Sequence, residues 1–190
     1  MKKEVVYYTA CHLVKATGST QHFGAVRSAI VKVTSTTDSE GDVTEAVEHS
    51  VRMTDRISLA RAELEIAIVC AASAPNNSTI VSFSEYVVKG ANEWMEGWAK
   101  NNWRNKRGDE VKNRDLWQQL LKISSDRKLN WFLDSKASSL DRYSESAIEL
   151  AQTGMVTEVI ELKDEEEEPS FVVNEIAPEQ RAIPVAYGGW

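Results

Sequence analysis

The stretch from residue 80 to residue 120 constrains the fold more than any other part of the chain. It begins within an apolar, β-branched run, Thr79 to Phe83, which predicts a strand. The residues that follow recur at spacings of three and four, which is typical of one face of a helix. That face consists of Tyr86, Val87, Gly90, Trp94 and Trp98. The stretch therefore predicts a strand that passes directly into an amphipathic helix.

Basic residues are interleaved with tryptophan immediately after this helix. The basic residues are Lys100, Arg104, Lys106, Arg107, Lys112 and Arg114. Asp109, Glu110 and Asp115 oppose them, and Trp103 lies among them. Lysine and arginine neutralise phosphates and indole rings stack on bases or sugars, so the pattern favours a nucleic-acid backbone as partner. The alternative is that the tryptophans belong to the core and the charges to a solvated helix end.

Composition is that of an ordinary globular protein. The chain has 190 residues, of which 42% are hydrophobic and 27% charged, enough for one domain and an appendage. No apolar run approaches the ~20 residues of a membrane helix, and the N-terminus lacks the pattern of a signal peptide. Cys11 and Cys70 suggest neither a disulfide framework nor a metal site. We therefore expect a cytoplasmic protein without membrane contact.

The net charge of -7 is concentrated at one end of the chain. Residues 158–190 contain nine acidic and two basic residues, whereas residues 1–157 contain 20 of each. The low isoelectric point therefore does not exclude a nucleic-acid partner for the remainder of the chain. This shift in composition predicts a domain at 1–157, followed at 158–190 by an acidic linker and a C-terminal extension.

The order of predicted elements indicates an α/β fold. Glu4–Thr9, Phe23–Val33 and Val43–Met53 are predicted strands of an antiparallel meander. A helix from Ser58 then places one face inward, made of Leu59, Ala62, Ile66, Val69 and Cys70. After the strand and helix described above come a helix at Arg114–Ser124, a strand at Leu129–Leu133 and a helix at Leu140–Thr153, ended by Gly154. Strands separated by helices pair in parallel, which predicts a mixed five-stranded sheet flanked by helices.

Local motifs in this order resemble the ribonuclease H family. They are Y-Y-T at Tyr7–Thr9, F-G-A-V at Phe23–Val26, R-A-E-L at Arg61–Leu64, the tryptophan-rich region, N-R-D-L-W-Q-Q-L, and W-F-L with D-R-Y-S-E-S-A. The resemblance covers about residues 4 to 153. It implies the ribonuclease H-like mixed sheet. In the bacterial type 1 enzymes that this chain resembles, the tryptophan-rich region is a helix and basic protrusion that grips the DNA strand of an RNA·DNA hybrid.

The resemblance also implies where a catalytic site would lie. The enzymes hold two magnesium ions with four carboxylates, and the matching positions here are Ala10, Glu63, Phe83 and Ser144. The histidine of the family falls near Ala137, and its phosphate-binding asparagines fall on Leu59 and Ala60. Asp141 could replace Ser144 if the match of the last helix is shifted. One remaining carboxylate is a poor magnesium site, because Mg²⁺ relies on several anionic oxygens.

The resemblance therefore predicts binding without cleavage. The six basic residues named above would hold an RNA·DNA hybrid or a structured RNA by its backbone, with Trp98 and Trp103 shaping the grip. No cofactor is expected, and magnesium would matter only for a residual nuclease. A protein-interaction scaffold is the alternative.

The residues after Gly154 predict three further features. M-V-T-E-V-I-E-L, at residues 155–162, alternates enough to be an added edge strand, and the acidic run that follows it is typical of a solvated segment. Residues 169–190 carry many apolar side chains, so they either fold back over the domain or bind a protein partner. The acidic run could also lie over the basic segment and compete with nucleic acid.

Overall fold

A computed structural model describes residues 1–16, 23–134 and 142–155. Five strands form one mixed sheet in the order β3-β2-β1-β4-β5. Strands β1 (Lys2–Ala16), β2 (Phe23–Thr37) and β3 (Val43–Ser58) pair antiparallel, whereas β4 (Thr79–Ser82) and β5 (Asn130–Leu133) are added in parallel beside β1. The predicted mixed five-stranded sheet is confirmed.

Helical segments connect and cover these strands. They are α1 (Leu59–Ser73), α2 (Glu85–Lys89), a π-helical turn at Gly90–Trp94, α3 (Met95–Lys100), α4 (Arg114–Asp126) and α5 (Arg142–Thr153). Ser58 begins α1, because its hydroxyl accepts a hydrogen bond from the Arg61 amide. Ser84 caps α2 in the same way. None of the helices is long and apolar enough to cross a membrane within the described residues.

The two largest apolar cores lie on opposite faces of the sheet. The larger core joins β1 and β4 to α1 and α4 and includes Leu64, Ile80 and Trp117, which are fully buried. The second core lies under α5, where Ala147 and Ala151 pack on Tyr8 and other residues of the sheet. The alternation of side chains along each strand separates the two cores. This arrangement leaves one end of the sheet beside α1 and α5 open as a cleft, which is described below.

Helix α5 is held to the sheet at both ends. At its start, Tyr143 donates a hydrogen bond to the Glu45 carboxylate of β3, and Arg142 forms an ion pair with the same carboxylate at 2.9 Å. At its end, the Arg27 guanidinium of β2 donates hydrogen bonds to the carbonyls of Ala151 and Gln152. These carbonyls have no partner inside the helix, so a cation there stabilises the helix end.

Replacing Arg27 by alanine should lower the free energy of unfolding by about 1 to 2 kcal/mol, because it removes a charged donor from the helix end. Denaturant titration monitored by circular dichroism measures this loss. Lys15→Ala is the control, since Lys15 is an exposed cation on β1, and should change the unfolding free energy by less than about 0.5 kcal/mol. Equal losses in the two variants would contradict the anchoring role of Arg27.

Several predicted boundaries and one predicted face were wrong. Strands β1, β2 and β3 are each longer than predicted, because the antiparallel pairing continues into polar residues beyond the apolar runs. Val69 was predicted to point inward, yet it is 49% exposed. Helix α1 instead buries residues around most of its circumference, including Leu64 and Ile68.

Helix α5 begins at Arg142 in the described residues and ends where predicted. Gly154 adopts a positive φ of 76° and donates its amide to the Leu150 carbonyl at 2.8 Å. This left-handed conformation suits glycine and stops the helix. The predicted helix start at Leu140, and the predictions for residues 156–190, lie outside the described residues.

Candidate nucleic-acid interface

The basic segment folds as a short hairpin after α3. Arg104 and Glu110 form an antiparallel bridge, and residues 104–110 are called the basic hairpin from here on. The Asn105 side-chain oxygen accepts hydrogen bonds from the amides of Arg107 and Asp109, and Gly108 turns the chain with a φ of 88°. An asparagine that bonds to the backbone ahead of it is a common turn device. These hydrogen bonds therefore fix the backbone from which the basic side chains of the hairpin project.

All six predicted basic residues are exposed on this surface, but their surroundings differ. Lys100 faces Glu96 at 4.0 Å and Arg114 faces Glu110 at 3.1 Å, whereas Arg104 donates to the Gly108 carbonyl. The remaining three cations form no ion pair with any described residue. They are Lys106, Arg107 and Lys112. Lys106 and Arg107, at the tip of the hairpin, are therefore the cations best placed to contact phosphates.

A group of packed aromatic rings supports the base of the basic hairpin. Trp98 lies edge-on to Trp117 with ring centres 5.4 Å apart, and Tyr86 meets Trp117 at the same distance. The Tyr86 hydroxyl accepts a hydrogen bond from the Trp117 indole at 2.8 Å and donates to the Lys112 carbonyl at 3.2 Å. Edge-to-face rings with satisfied polar groups form a rigid support. The roles of Trp117 and of the Tyr86 hydroxyl were not predicted, although the helical spacing had placed Tyr86 on the buried face.

The two tryptophans that were predicted to shape the grip lie in different surroundings. Trp103 is only 8% exposed and belongs to the larger core, so its ring is not available to stack on a base. Its backbone instead ties the segment together, because its amide donates to Trp98 and its carbonyl accepts from Val111. Trp98 is half-buried against the same core. For Trp103, the structure therefore agrees with the alternative interpretation, in which the tryptophans of this segment belong to the core.

An ion pair joins this region to helix α1. The Arg61 guanidinium donates two hydrogen bonds to the Asp115 carboxylate, at 3.1 and 2.7 Å, and holds the pKa of Asp115 below its usual value. Asp115 therefore faces Arg61 rather than a cation of the hairpin. Since Glu63 lies two residues after Arg61, the first turns of α1 lie between the basic surface and the cleft described next.

A cleft of about 200 Å³ opens where β1, β4, α1 and α5 meet. Three of the four positions that match the family's carboxylates line it: Ala10, Glu63 and Phe83. Ser144 does not line this cleft. It is buried one turn before Ile148, which does line it, and its hydroxyl has no hydrogen-bond partner in the described part of the chain. The fold thus brings three of the predicted positions together and leaves one carboxylate among them.

Glu63 is held as a partly buried acid. The Ser84 hydroxyl donates a hydrogen bond to its carboxylate at 2.6 Å. Burial raises the pKa of Glu63, and the bond from Ser84 opposes that rise. Phe83 packs beside it against the core under α5. A carboxylate that binds magnesium must be charged and must have other oxygen ligands near it. Burial disfavours the charged form of Glu63, and Phe83 places an apolar ring beside it.

The pKa of Glu63 predicts how stability depends on pH. Because the folded-state pKa lies above the unfolded one, the native protein binds this proton more tightly, and the free energy of unfolding falls as pH rises through these two values. We expect wild type to lose stability relative to Glu63→Gln as the pH rises above about 4, the ordinary pKa range of an unperturbed glutamate. Denaturant titrations of both proteins across this range provide the measurement. Parallel pH profiles would contradict the assignment.

Magnesium does not fit this cleft. Among the described residues, no three histidine, cysteine, aspartate or glutamate side chains lie close enough to hold a metal ion. Nearby acids do not replace the missing ones, since Glu65 pairs with Arg61, Glu85 pairs with Lys89 and Glu145 is exposed. Ala137, which matches the family's histidine, and Asp141, the alternative to Ser144, lie outside the described residues.

Comparison with known proteins agrees with this geometry at the level of the fold. The RNase H family model matches residues 16–136. A ribonuclease H of Pelobacter propionicus is 46% identical over 57 residues, which cover 30% of this chain and 35% of the relative. The alignments to eight curated ribonucleases H span between about a third and a half of those relatives' lengths.

Two solved structures share the fold. The solution structure of the PFV RNase H domain matches with a TM-score of 0.60 and 18% identity, covering 81% of this chain and 94% of that domain. A foamy viral protease-reverse transcriptase in complex with RNA/DNA hybrid matches with a TM-score of 0.56 and 19% identity, covering 77% of this chain and 19% of that one. At such identities the likeness establishes the fold alone.

Proposed function

Because this chain belongs to the ribonuclease H family, we propose that it binds an RNA·DNA hybrid or a structured RNA through the basic hairpin without cleaving it. One contrast supports this proposal above all others. The exposed cations and their aromatic support are present, whereas the cleft that would perform cleavage contains one carboxylate, Glu63, beside Phe83. The surface is suited to binding and the cleft is unsuited to metal-dependent hydrolysis.

Binding would rest on phosphate contacts. Lys106, Arg107 and Lys112 have no competing ion pair within the described residues, so phosphates need not displace a carboxylate from them. Lysine and arginine on a rigid frame position a duplex by its backbone and carry little base specificity. Recognition would then depend on duplex shape and on 2′-hydroxyl groups, as is common for double-stranded RNA.

The absence of cleavage would follow from the charge that the reaction needs. Two-metal hydrolysis requires anionic oxygens that hold both cations near the reacting phosphate. Ala10 and Phe83 supply none, and the pKa of Glu63 is raised by burial. We accordingly propose that binding requires no metal and no cofactor, and that the protein acts in the cytoplasm.

Salt dependence tests the mode of binding. We would measure fluorescence anisotropy of labelled RNA·DNA hybrid, double-stranded RNA and double-stranded DNA. With three phosphate contacts, from Lys106, Arg107 and Lys112, the affinity should fall about 40-fold between about 50 and about 200 mM salt. The duplex that binds most tightly identifies the target. An affinity that does not change with salt would contradict phosphate-based binding.

A protein-interaction scaffold is the second candidate, and one observation favours it. Phe132 is 58% exposed and Leu133 is 40% exposed on the edge strand β5. Exposed apolar side chains on a sheet edge are typical of a surface that receives a protein partner. The predicted partner-binding segment at 169–190 lies outside the described residues. A duplex that fails to bind at low salt would favour this candidate.

A further inference from the structure

Strand β3 forms a free edge of the described sheet. It spans Val43–Ser58, is paired on one side by β2, and is the last strand of the described sheet on its other side. Its side chains alternate over most of its length, with Val47, His49 and Val51 half-buried and the residues between them exposed. Met53 continues the half-buried face and is 46% exposed. A long free edge with an incompletely covered apolar face invites pairing with another strand.

Helix α5 ends beside β2, the strand next to this edge. Arg27 is paired with Met53 in the sheet, and its guanidinium holds the last carbonyls of α5 at Ala151 and Gln152. The described chain then turns at Gly154 and reaches Met155. A strand beside β3 would lie about 10 Å from β2, at two strand spacings, and about three extended residues span that distance. The residues soon after Met155 are therefore within chain length of the free edge of β3.

The sequence of the next residues matches the two faces of β3. In residues 156–163, V-T-E-V-I-E-L-K, one alternate set is mostly apolar and the other is mostly polar. The first contains Val156, Glu158, Ile160 and Leu162, and the second contains Thr157, Val159, Glu161 and Lys163. Opposite residues of paired strands lie on the same face. The apolar set would thus extend the face of Val47 and Val51, and the polar set would lie beside the exposed residues of β3. A shift by one residue would turn Glu161 and Lys163 to this face and Ile160 and Leu162 away from it, so the pattern favours the first arrangement.

The charged side chains of β3 also favour pairing with residues 156–163. Arg52 and Arg56 are exposed on β3 and form no ion pair with any described residue. The segment that follows α5 carries Glu158 and Glu161. We propose that residues 156–163 pair antiparallel with β3 as a sixth strand, which would close the free edge and place Glu161 on the same face of the sheet as Arg52.

Hydrogen exchange of the full chain, followed by mass spectrometry, tests this pairing. In wild type, peptides from residues 156–163 and from β3 should both exchange slowly. Ile160→Pro removes a backbone donor from the added strand, and protection of both peptides should fall at least about tenfold while that of β1 is kept. Ser170→Pro lies beyond the segment and should leave the exchange of both peptides unchanged.

Two results would overturn the proposal. The first is that residues 156–163 of wild type exchange as fast as an unstructured peptide, a result that needs no variant. The second is that β3 loses its protection from exchange when the protein is diluted, while sedimentation shows that a dimer dissociates to a monomer. In that case a second copy of the chain, and not residues 156–163, would pair with β3. Nucleic-acid binding does not enter either measurement.

Discussion

Reversing the charge of Lys106 and Arg107 together should weaken the binding of an RNA·DNA hybrid by about 100-fold, because each contact with a phosphate contributes about 1.5 kcal/mol or more and 1.4 kcal/mol is about tenfold. Both residues lie near the turn of the basic hairpin, exposed and without an ion pair in the described structure. The measurement is anisotropy of labelled hybrid at about 50 mM salt. The double alanine variant should also reduce the salt slope by about two.

A control with the same change in net charge separates local contact from general attraction. Lys122 and Lys128 are exposed, and lie in the last turns of α4 and just beyond it, away from the hairpin. Lys122→Glu with Lys128→Glu should alter the affinity by less than about threefold, as expected for charges farther away than the ~10 Å screening length. If the two double variants weaken binding equally, the hairpin is not the contact surface.

Replacing Gly90 by alanine should lower the free energy of unfolding by about 3 kcal/mol. A Cβ atom at this position would lie 2.0 Å from Cη2 and 2.5 Å from Cζ2 of Trp117, which is fully buried. The indole cannot move aside without disturbing its edge-on contacts with Trp98 and Tyr86. Overpacking of this kind typically costs about 1 to 3 kcal/mol and outweighs the better helix propensity of alanine. Thermal unfolding should shift down by about 10 °C.

Gly97→Ala is the matched control in the following helix. Gly97 is exposed in α3, and a Cβ atom there would contact nothing within 4 Å. Its replacement should raise the free energy of unfolding by up to about 1 kcal/mol, since alanine stabilises a helix interior. Similar effects of the two alanines would show that helix propensity, rather than the fit against Trp117, determines the outcome.

Periodicity predicted the elements of the fold because each long strand and helix carries a clear pattern. The meander, the helical connections and the stop at Gly154 all follow from spacing and turn chemistry. Strand lengths were underestimated, since β1 continues to Ala16 through polar residues whose pairing depends on the neighbouring strand. The error at Val69 arose because α1 is buried on most sides, so hydrophobicity around it is nearly uniform and no single face stands out.

The site was predicted in part. The resemblance placed Ala10, Glu63 and Phe83 at one cleft, where the structure brings them together. It could not place Ser144 relative to the cleft, because the position of the start of α5 depends on the hydrogen bond between Tyr143 and Glu45 of a distant strand. The π-helical turn at Gly90 was not predicted either, since a single extra residue per turn leaves little trace in a hydrophobic pattern.

The tryptophans show why composition alone cannot define an interface. Trp98 and Trp103 lie in the same basic segment, yet Trp103 is buried and Trp98 is half-buried. Which ring is covered depends on the hairpin that folds back at Gly108 and on Trp117 from a later helix. The charges of the segment were easier to predict, because six cations in 15 residues seldom lie in a core.

One assay tests the central claim most directly. Labelled RNA·DNA hybrid is incubated with the protein and magnesium, its anisotropy is followed over time, and its strands are then separated on a denaturing gel. We predict a stable anisotropy increase that weakens with salt and strands that stay intact, as expected for phosphate contacts without a metal site. Strands that are cut in magnesium but not in a chelator would contradict the account.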